Sequence, residues 1–226
     1  MYEAKMFTGI IEAIGVVKAI EKSSLNGKIS INAFSNEIDF KLGDSVSTNG
    51  LCLTVVSFIN GKDGKDGFTA DVSRESFKCS TLGSLSVGES VNIETALTQL
   101  KPMGGHMVTG HIDCVGTLKA RKNNGELLEF SLPVEFIGQI VTKGSIAING
   151  ISLTIAELTE NGFKVAVIPH TFSETTLSGL RPGAMVNIET DIIGKYVERS
   201  LEQHKGKETS PITESFLMEH GFMGKN

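Results

Sequence analysis

The stretch TGIIEAIGVVKA, Thr8 to Ala19, returns as TGHIDCVGTLKA, Thr109 to Ala120, at an offset of 101 residues. GDSVSTNGLCLTVV (Gly43 to Val56) returns as KGSIAINGISLTIA (Lys143 to Ala156) at an offset of 100. ESFKCSTLGSLSVGESVNIET (Glu75 to Thr95) returns as HTFSETTLSGLRPGAMVNIET (His170 to Thr190) at an offset of 95. Three blocks repeating in one order make the chain a tandem duplication of units of roughly 95 residues, and any fold assigned to one unit must serve for both. The change of offset falls at GKDGKDG, residues 61–67, read as a glycine-rich hairpin insert in the first copy.

Each copy reads as all-β. Short apolar alternations are punctuated by Gly, Asn and Asp at the spacing of short strands. In LCLTVV, Leu51, Leu53 and Val55 share one face, and Cys52, Thr54 and Val56 share the other. Ile151, Leu153 and Ile155 repeat the apolar face against Ser152, Thr154 and Ala156, and VNIE alternates Val and Ile with Asn and Glu in both copies. Many short strands in so small a unit are best closed into a barrel, which leaves no edge strand; the Leu/Val/Ile face then points inward and the Cys/Thr and Ser/Thr faces outward. The expected division is residues 1–102, 103–191 and a C-terminal segment, 192–226. In that segment Ile193, Tyr196, Val197 and Leu201 fall on one helical face opposite Glu198, Arg199, Glu202 and Gln203, with Asp191 placed to cap the start. A lone amphipathic helix after two complete barrels needs a partner, from its own chain or from other subunits. Further on, ITESFLMEHGF reads as a short docked helix.

Composition narrows the function. A net charge of −5 without a basic run argues against binding nucleic acid or an anionic membrane surface, and the lack of Trp argues against a base-stacking platform. The three cysteines, Cys52, Cys79 and Cys114, are odd in number, far apart and without a CxxC pair. They predict a reducing compartment rather than a disulfide scaffold or zinc site. No apolar run is long enough to span a bilayer, and MYEAK has no signal-peptide core, so a cytoplasmic protein is expected.

Two similar cradles in one chain suit a reaction between two similar molecules, and differences between the copies then assign them different roles. The sharpest differences are Ile10 against His111, Cys52 against Ser152 and Ala96 against Asp191. GGHMVTGHID, Gly104 to Asp113, holds two of the five histidines. At a spacing of five they would fall on opposite faces of a strand, a poor chelate, so no metal site is expected. His106 is expected at the barrel junction. His111 is the better candidate base, since imidazole titrates near neutral pH, with a purely structural role as the alternative.

MFTGI (Met6 to Ile10), NGLCLTV (Asn49 to Val55), GGHMVTGHID and NGISLTI (Asn149 to Ile155) together resemble the riboflavin synthase family, in order and in both halves, from Met6 to about Gln203. The resemblance implies two tandem six-stranded Greek-key β-barrels and a C-terminal α-helix, assembled as a homotrimer through those helices. It implies a transferase without a cofactor, acting on two molecules of 6,7-dimethyl-8-ribityllumazine. These exchange a four-carbon unit to give riboflavin and 5-amino-6-ribitylamino-uracil, between the N-terminal barrel of one subunit and the C-terminal barrel of another. Association with a lumazine synthase shell stays open.

Residue by residue, the resemblance puts Cys52 at the donor ring, with Thr54 beside it, Ser45 in the preceding strand, Gly9 in the MFTGI segment and Phe7 closing over the pocket; a small buried thiol, a turn serine and a core phenylalanine are the structural alternatives for Cys52, Ser45 and Phe7. Ser152 and Thr154 mirror Cys52 and Thr54. Gly110, Ile112 and Thr171 lie in matched segments of the second copy and are expected to hold ring edges there. Asp191 orients Ser152 or a water, or caps the helix, or does both. Asn92 matches a family asparagine, but its twin Asn187 leaves a structural role open. The family usually begins at the Met of MFTGI, so if Phe7 closes the pocket, either residues 1–5 are an extension that bends away from it or translation starts at Met6. The principal rival is a lumazine protein, which shares the fold but holds one lumazine or flavin as an optical antenna. Retention of the pattern in both halves, Cys52 and Ser152 included, favours the enzyme.

Overall fold

The computed structural model describes residues 6–23, 26–33, 38, 40–60, 65–205, 217, 218 and 220. The extension at 1–5, the tip of the hairpin insert at 61–64 and most of ITESFLMEHGF lie outside the described residues.

The first barrel is built from β1 (Ala13–Lys22), β2 (Asn26–Ala33), β3 (Ser45–Thr48), β4 (Leu51–Asn60), β5 (Lys65–Ser73) and β6 (Ser90–Thr95), with the short helix α1 (Arg74–Cys79) after β5. The second is built from β7 (Cys114–Lys122), β8 (Leu127–Ser131), β9 (Ser145–Ile148), β10 (Ile151–Thr159), β11 (Gly162–Ala166) and β12 (Met185–Thr190), with α2 (Pro169–Ser173) after β11. Helix α3 (Ile192–Lys205) follows. The first barrel closes in the order β1-β2-β5-β4-β3-β6, and the second has the same circular order, β7-β8-β11-β10-β9-β12. All pairings are antiparallel, and β3 and β6 pair across a long connection, as a Greek key requires.

The duplication extends to local irregularities. Asn49–Gly50 and Asn149–Gly150 join β3 to β4 and β9 to β10, each with φ of 46° at the Asn and 82° or 79° at the Gly. Two residues in the left-handed region are what a tight hairpin with the strands' own twist needs, and Asn-Gly supplies them at least cost. The registers slip between Val17 and Ala19 and again between Leu118 and Ala120; they slip between Val55 and Ser57 and again between Ile155 and Glu157. Such bulges sharpen the bend that lets a short sheet close.

The predicted alternation of β4 and β10 holds. Leu51, Leu53 and Val55 are buried with Val17, Ile31, Phe68 and Ile93 in one core; Ile151, Leu153 and Ile155 are buried with Leu118, Phe130, Phe163 and Ile188 in another. Each fully buried side chain of this kind contributes about 1.5–3 kcal/mol, so each barrel has its own source of stability.

Not every outward-facing residue meets solvent. On β6 and β12, Asn92 is 0% exposed and Asn187 1%. They form a reciprocal clamp between the barrels. Asn92 Nδ2 donates to the Asn149 carbonyl (2.9 Å) and Asn187 Nδ2 to the Asn49 carbonyl (2.8 Å). Asn92 Oδ1 accepts from the Thr176 amide, and Asn187 Oδ1 from the Thr81 amide. Asn49 and Asn149 in turn cap the backbone amides of Asn92 and Asn187. Both polar atoms of the Asn92 amide are thus engaged with the other barrel, in keeping with the structural role that its twin Asn187 leaves open.

Candidate active site

Phe7 and Val108 form an isolated antiparallel bridge, with Phe7 N donating to Val108 O at 2.7 Å and Val108 N to Phe7 O at 3.1 Å. The segments that lead into the two barrels thus run alongside one another, and each is laid across the other barrel. The Cys52 amide donates to the Gly110 carbonyl (2.9 Å), and the Ser152 amide to the Gly9 carbonyl (2.8 Å). Both glycines have φ near +78°. A Cβ on Gly110 would lie 2.5 Å from Cys52 Cβ, and one on Gly9 2.6 Å from Ser152 Cβ. Glycine is required twice over, for the left-handed backbone and for the close approach. Beyond the glycines the exchange continues: Ile11 packs against the core of the second barrel and Ile112 against that of the first.

Gly110 and Ile112, which the resemblance puts in matched segments of the second copy, lie on the N-terminal barrel beside Cys52, and Gly9 lies on Ser152. Phe7 is 0% exposed, wedged with Val108, Ala147 and Cys52 under the crossing of the straps. In the single chain its ring packs as a wedge between the two segments.

Beside Cys52 the β3–β4 register places Thr54 on the same outward face, Ser45 opposite Thr54 and Ser47 opposite Cys52, and His111 follows Gly110 in the chain. His111 is exposed, and its Nδ1 lies 3.2 Å from Thr109 Oγ1, whose proton is donated to Glu189 Oε1 at 2.7 Å. The Thr109 oxygen is then the acceptor, His111 Nδ1 carries the proton, and Nε2 is the basic nitrogen of the neutral ring.

Around Ser152 the set differs. Thr154 shares its face and pairs with Ser145, while Ala147, which pairs with Ser152, stands where the first barrel has Ser47. His106 reaches in from the glycine pair, with Nδ1 at 2.7 Å from Ser152 Oγ. Gly105 makes this possible, since a Cβ there would meet the Thr8 carbonyl at 2.0 Å and Ser152 Oγ at 2.9 Å. Burial pushes the His106 imidazole below its ordinary value, with the Asp191 carboxylate opposing, and its Nε2 is buried with no hydrogen-bond partner among the described residues. A neutral imidazole against a serine hydroxyl is a base–hydroxyl pair of the kind that moves protons near pH 7. Asp191 also accepts from the Ile193 amide through Oδ1 (3.0 Å), so the carboxylate whose charge favours protonated His106 also caps α3. Thr171 sits in α2, where its carbonyl accepts from Thr175 Oγ1 (2.6 Å).

Two residues passed over at the sequence level hold the straps in place. Glu94 accepts from Thr8 N and Thr8 Oγ1 (both 2.7 Å) and from Gly9 N (3.0 Å). Glu189 accepts from Thr109 N (2.6 Å), Thr109 Oγ1 (2.7 Å) and Gly110 N (3.0 Å). Burial pushes both carboxyls above their ordinary range, while these donors, Lys101 for Glu94 and Lys195 for Glu189 pull them back. The signal was present in the sequence: TG and NIET recur in both copies, so their contact is part of the repeated unit. Among the described residues no group of three or more His, Cys, Asp or Glu side chains is placed to hold a metal ion.

Comparison with known proteins agrees with this architecture. A family model described as "Lumazine binding domain" matches residues 8–96 and 109–191, once per barrel. The riboflavin synthase of Bacillus amyloliquefaciens is 41% identical over 96% of this chain and 100% of its own. That of Schizosaccharomyces pombe is 38% identical over 88% of this chain and 95% of its own. Among solved structures, LumP complexed with 6,7-dimethyl-8-(1'-D-ribityl) lumazine superimposes with a TM-score of 0.71 at 28% identity, covering 82% of this chain and 99% of that one. LumP complexed with riboflavin gives a TM-score of 0.72, also at 28% identity, with the same coverage. Two barrels of one topology, each matched by the lumazine-binding model, together with near-full-length likeness to these enzymes, place the chain in the riboflavin synthase family of lumazine-binding proteins.

Proposed function

We propose that this protein is a riboflavin synthase, a transferase that converts two molecules of 6,7-dimethyl-8-ribityllumazine to riboflavin and 5-amino-6-ribitylamino-uracil. The observation that carries the reading is one surface built twice and furnished differently: Cys52 against the Gly110 carbonyl on one barrel, Ser152 with His106 and the Gly9 carbonyl on the other. One lumazine gives up a four-carbon unit and the other receives it, so oxidation and reduction balance between the two and no redox cofactor enters the stoichiometry. The C7 methyl group is acidic because the ring delocalises its carbanion. His111 Nε2 and the His106–Ser152 pair are the groups suited to take and return that proton, and general acid–base help of this kind is worth roughly 10²–10⁴ in rate. Thr54, Ser45 and Thr154 offer hydroxyls to ring edges. Thr171 and Asp191 complete the proposed C-terminal cradle. Holding two flat rings in register contributes several kcal/mol more, on the order of 7–11 in the best intramolecular cases.

We place the reaction between the N-terminal barrel of one subunit and the C-terminal barrel of another, in a homotrimer. What supports this is α3, whose Ile193, Tyr196, Val197 and Leu201 are all more than half exposed in the single chain. A helix of this length with its apolar stripe in water needs a cover. A cytoplasmic location is supported by three cysteines, odd in number and far apart in the chain, and a lumazine synthase shell is a candidate partner. Among the described residues no helix is long and apolar enough to cross a membrane.

The test is to incubate the protein with 6,7-dimethyl-8-ribityllumazine alone and follow flavin absorbance together with the diaminouracil product. Equal molar yields of the two products are expected. Binding of a single lumazine per chain without turnover would replace this reading with that of an antenna protein.

A further inference from the structure

We propose that Glu94 and Glu189 are positioning residues that act across the barrel boundary: Glu189 of the C-terminal barrel holds Cys52 of the N-terminal barrel in place, and Glu94 of the N-terminal barrel holds Ser152 of the C-terminal one. The relevance to turnover rests on the function proposed above; the structural claim does not.

Each glutamate lies on the last strand of its barrel, β6 or β12, with its carboxylate buried to 0% and 2% exposure. A carboxylate so placed stays only if its oxygens are satisfied, and both are satisfied by the same partners: the amide and hydroxyl of a threonine and the amide of the following glycine. Three charge-assisted hydrogen bonds to a two-residue segment fix its position and rotation. That segment does not rest on the barrel whose glutamate grips it. Gly110, held by Glu189, receives the Cys52 amide and touches Cys52 Cβ; Gly9, held by Glu94, receives the Ser152 amide and touches Ser152 Cβ. The Glu94 strap also carries the next layer of the Ser152 site, because the His106 amide donates to the Thr8 carbonyl at 3.1 Å. The outer wall of each cradle is therefore supplied by the neighbouring barrel and locked by the neighbour's buried acid. A lysine backs each lock: Lys101 Nζ lies 3.6 Å from Glu94, and Lys195, which binds Asp113 at 2.6 Å, acts on Glu189.

This wiring predicts a crossed pattern that a merely stabilising role would not produce. Two reporter backgrounds read it: Cys79→Ser, in which Cys52 is the half-accessible thiol, and Cys52→Ser/Cys79→Ser/Ser152→Cys, in which the reporter thiol stands at 152. Cys114 is buried and its thiol is pushed up to about 12, so it stays silent in both. Alkylation rates with iodoacetamide are measured on the assembled protein. Glu189→Gln should raise the rate at Cys52 by about tenfold, and Glu94→Gln should leave it within about twofold. At the thiol on 152 the two effects should be reversed. Thr109→Val and Thr8→Val, which remove one hydroxyl from each lock, provide the same comparison if a glutamine variant does not fold. Equal changes at both thiols, changes confined to the glutamate's own barrel, or no change beyond twofold at either thiol would overturn the proposal, and none of these results bears on whether the protein makes riboflavin.

Discussion

The carbonyl of Gly110 accepts the Cys52 amide at 2.9 Å, although the two residues belong to different barrels and lie 58 positions apart in the chain. The contact is backbone to backbone, so it survives any change of the thiol, but not a change of the glycine. Gly110→Ala would set a Cβ 2.5 Å from Cys52 Cβ at a φ of +78°. The expected cost is about 2–4 kcal/mol, from backbone strain and the displaced strand together, with most activity lost. Chemical denaturation of the variant alongside its turnover rate measures both.

Cys52→Ala, His111→Ala and Ser152→Ala should each leave the barrels folded, because none of these side chains belongs to either apolar core. Turnover should fall by about tenfold or more in each, as for loss of one proton-handling group. Circular dichroism with steady-state rates checks the pair of expectations. Full rates in both Cys52→Ala and His111→Ala would remove these residues from the site.

His106 should titrate below the ordinary imidazole value of 6.5, since burial disfavours its charged form. A base whose folded pKa is depressed binds fewer protons when folded than when unfolded. Stability from this group is then complete above the unfolded pKa and declines as pH falls below about 6.5 toward the folded value. The two buried glutamates work in the other sense. Their folded pKa values are raised above 4.5, so their contribution is complete below the unfolded pKa and is lost as pH rises through the folded value. Midpoints of thermal unfolding against pH should show the His106 component vanish in His106→Gln, and the glutamate component weaken in Glu94→Gln.

The asparagine clamp should behave as a symmetric pair. Asn92→Ala and Asn187→Ala each remove two side-chain hydrogen bonds and leave buried partners unpaired. A loss of about 2–4 kcal/mol is expected from each. If the seam is a single cooperative unit, the double variant loses less than the sum, which a double-mutant cycle by urea denaturation reads directly.

Truncation before Ile192 should yield monomers of low activity. The milder Val197→Glu, which places a charge on the half-exposed apolar stripe of α3, should shift the assembly toward monomer while the barrels keep their melting behaviour. Light scattering settles both. A fully active monomer would contradict a site shared between subunits.

Much of this protein was legible in its sequence, for a local reason. Strand periodicity, Asn49–Gly50 and Asn149–Gly150 turns and the inward faces of β4 and β10 depend on neighbours within a few residues, and the duplication reported each of them twice. The outward face of Asn92 was legible too, but not what covers it, since a face pattern cannot tell solvent from a second barrel. His106 was placed at the junction but not against Ser152, because that contact spans 46 residues and leaves no periodic trace.

The exchange of the straps was beyond any reading of the chain alone. Thr8–Gly9 and Thr109–Gly110 are chemically the same segment, and so are the surfaces they cover, so sequence cannot say whether each lies on its own barrel or on its twin's. Sequence by itself determined two homologous closed barrels, their polar outer faces and the trailing amphipathic helix. Only the packing of one barrel on the other decided that Gly9 meets Ser152 and Gly110 meets Cys52. The physical reason is that chain connectivity and shape select between partners that local chemistry makes equivalent.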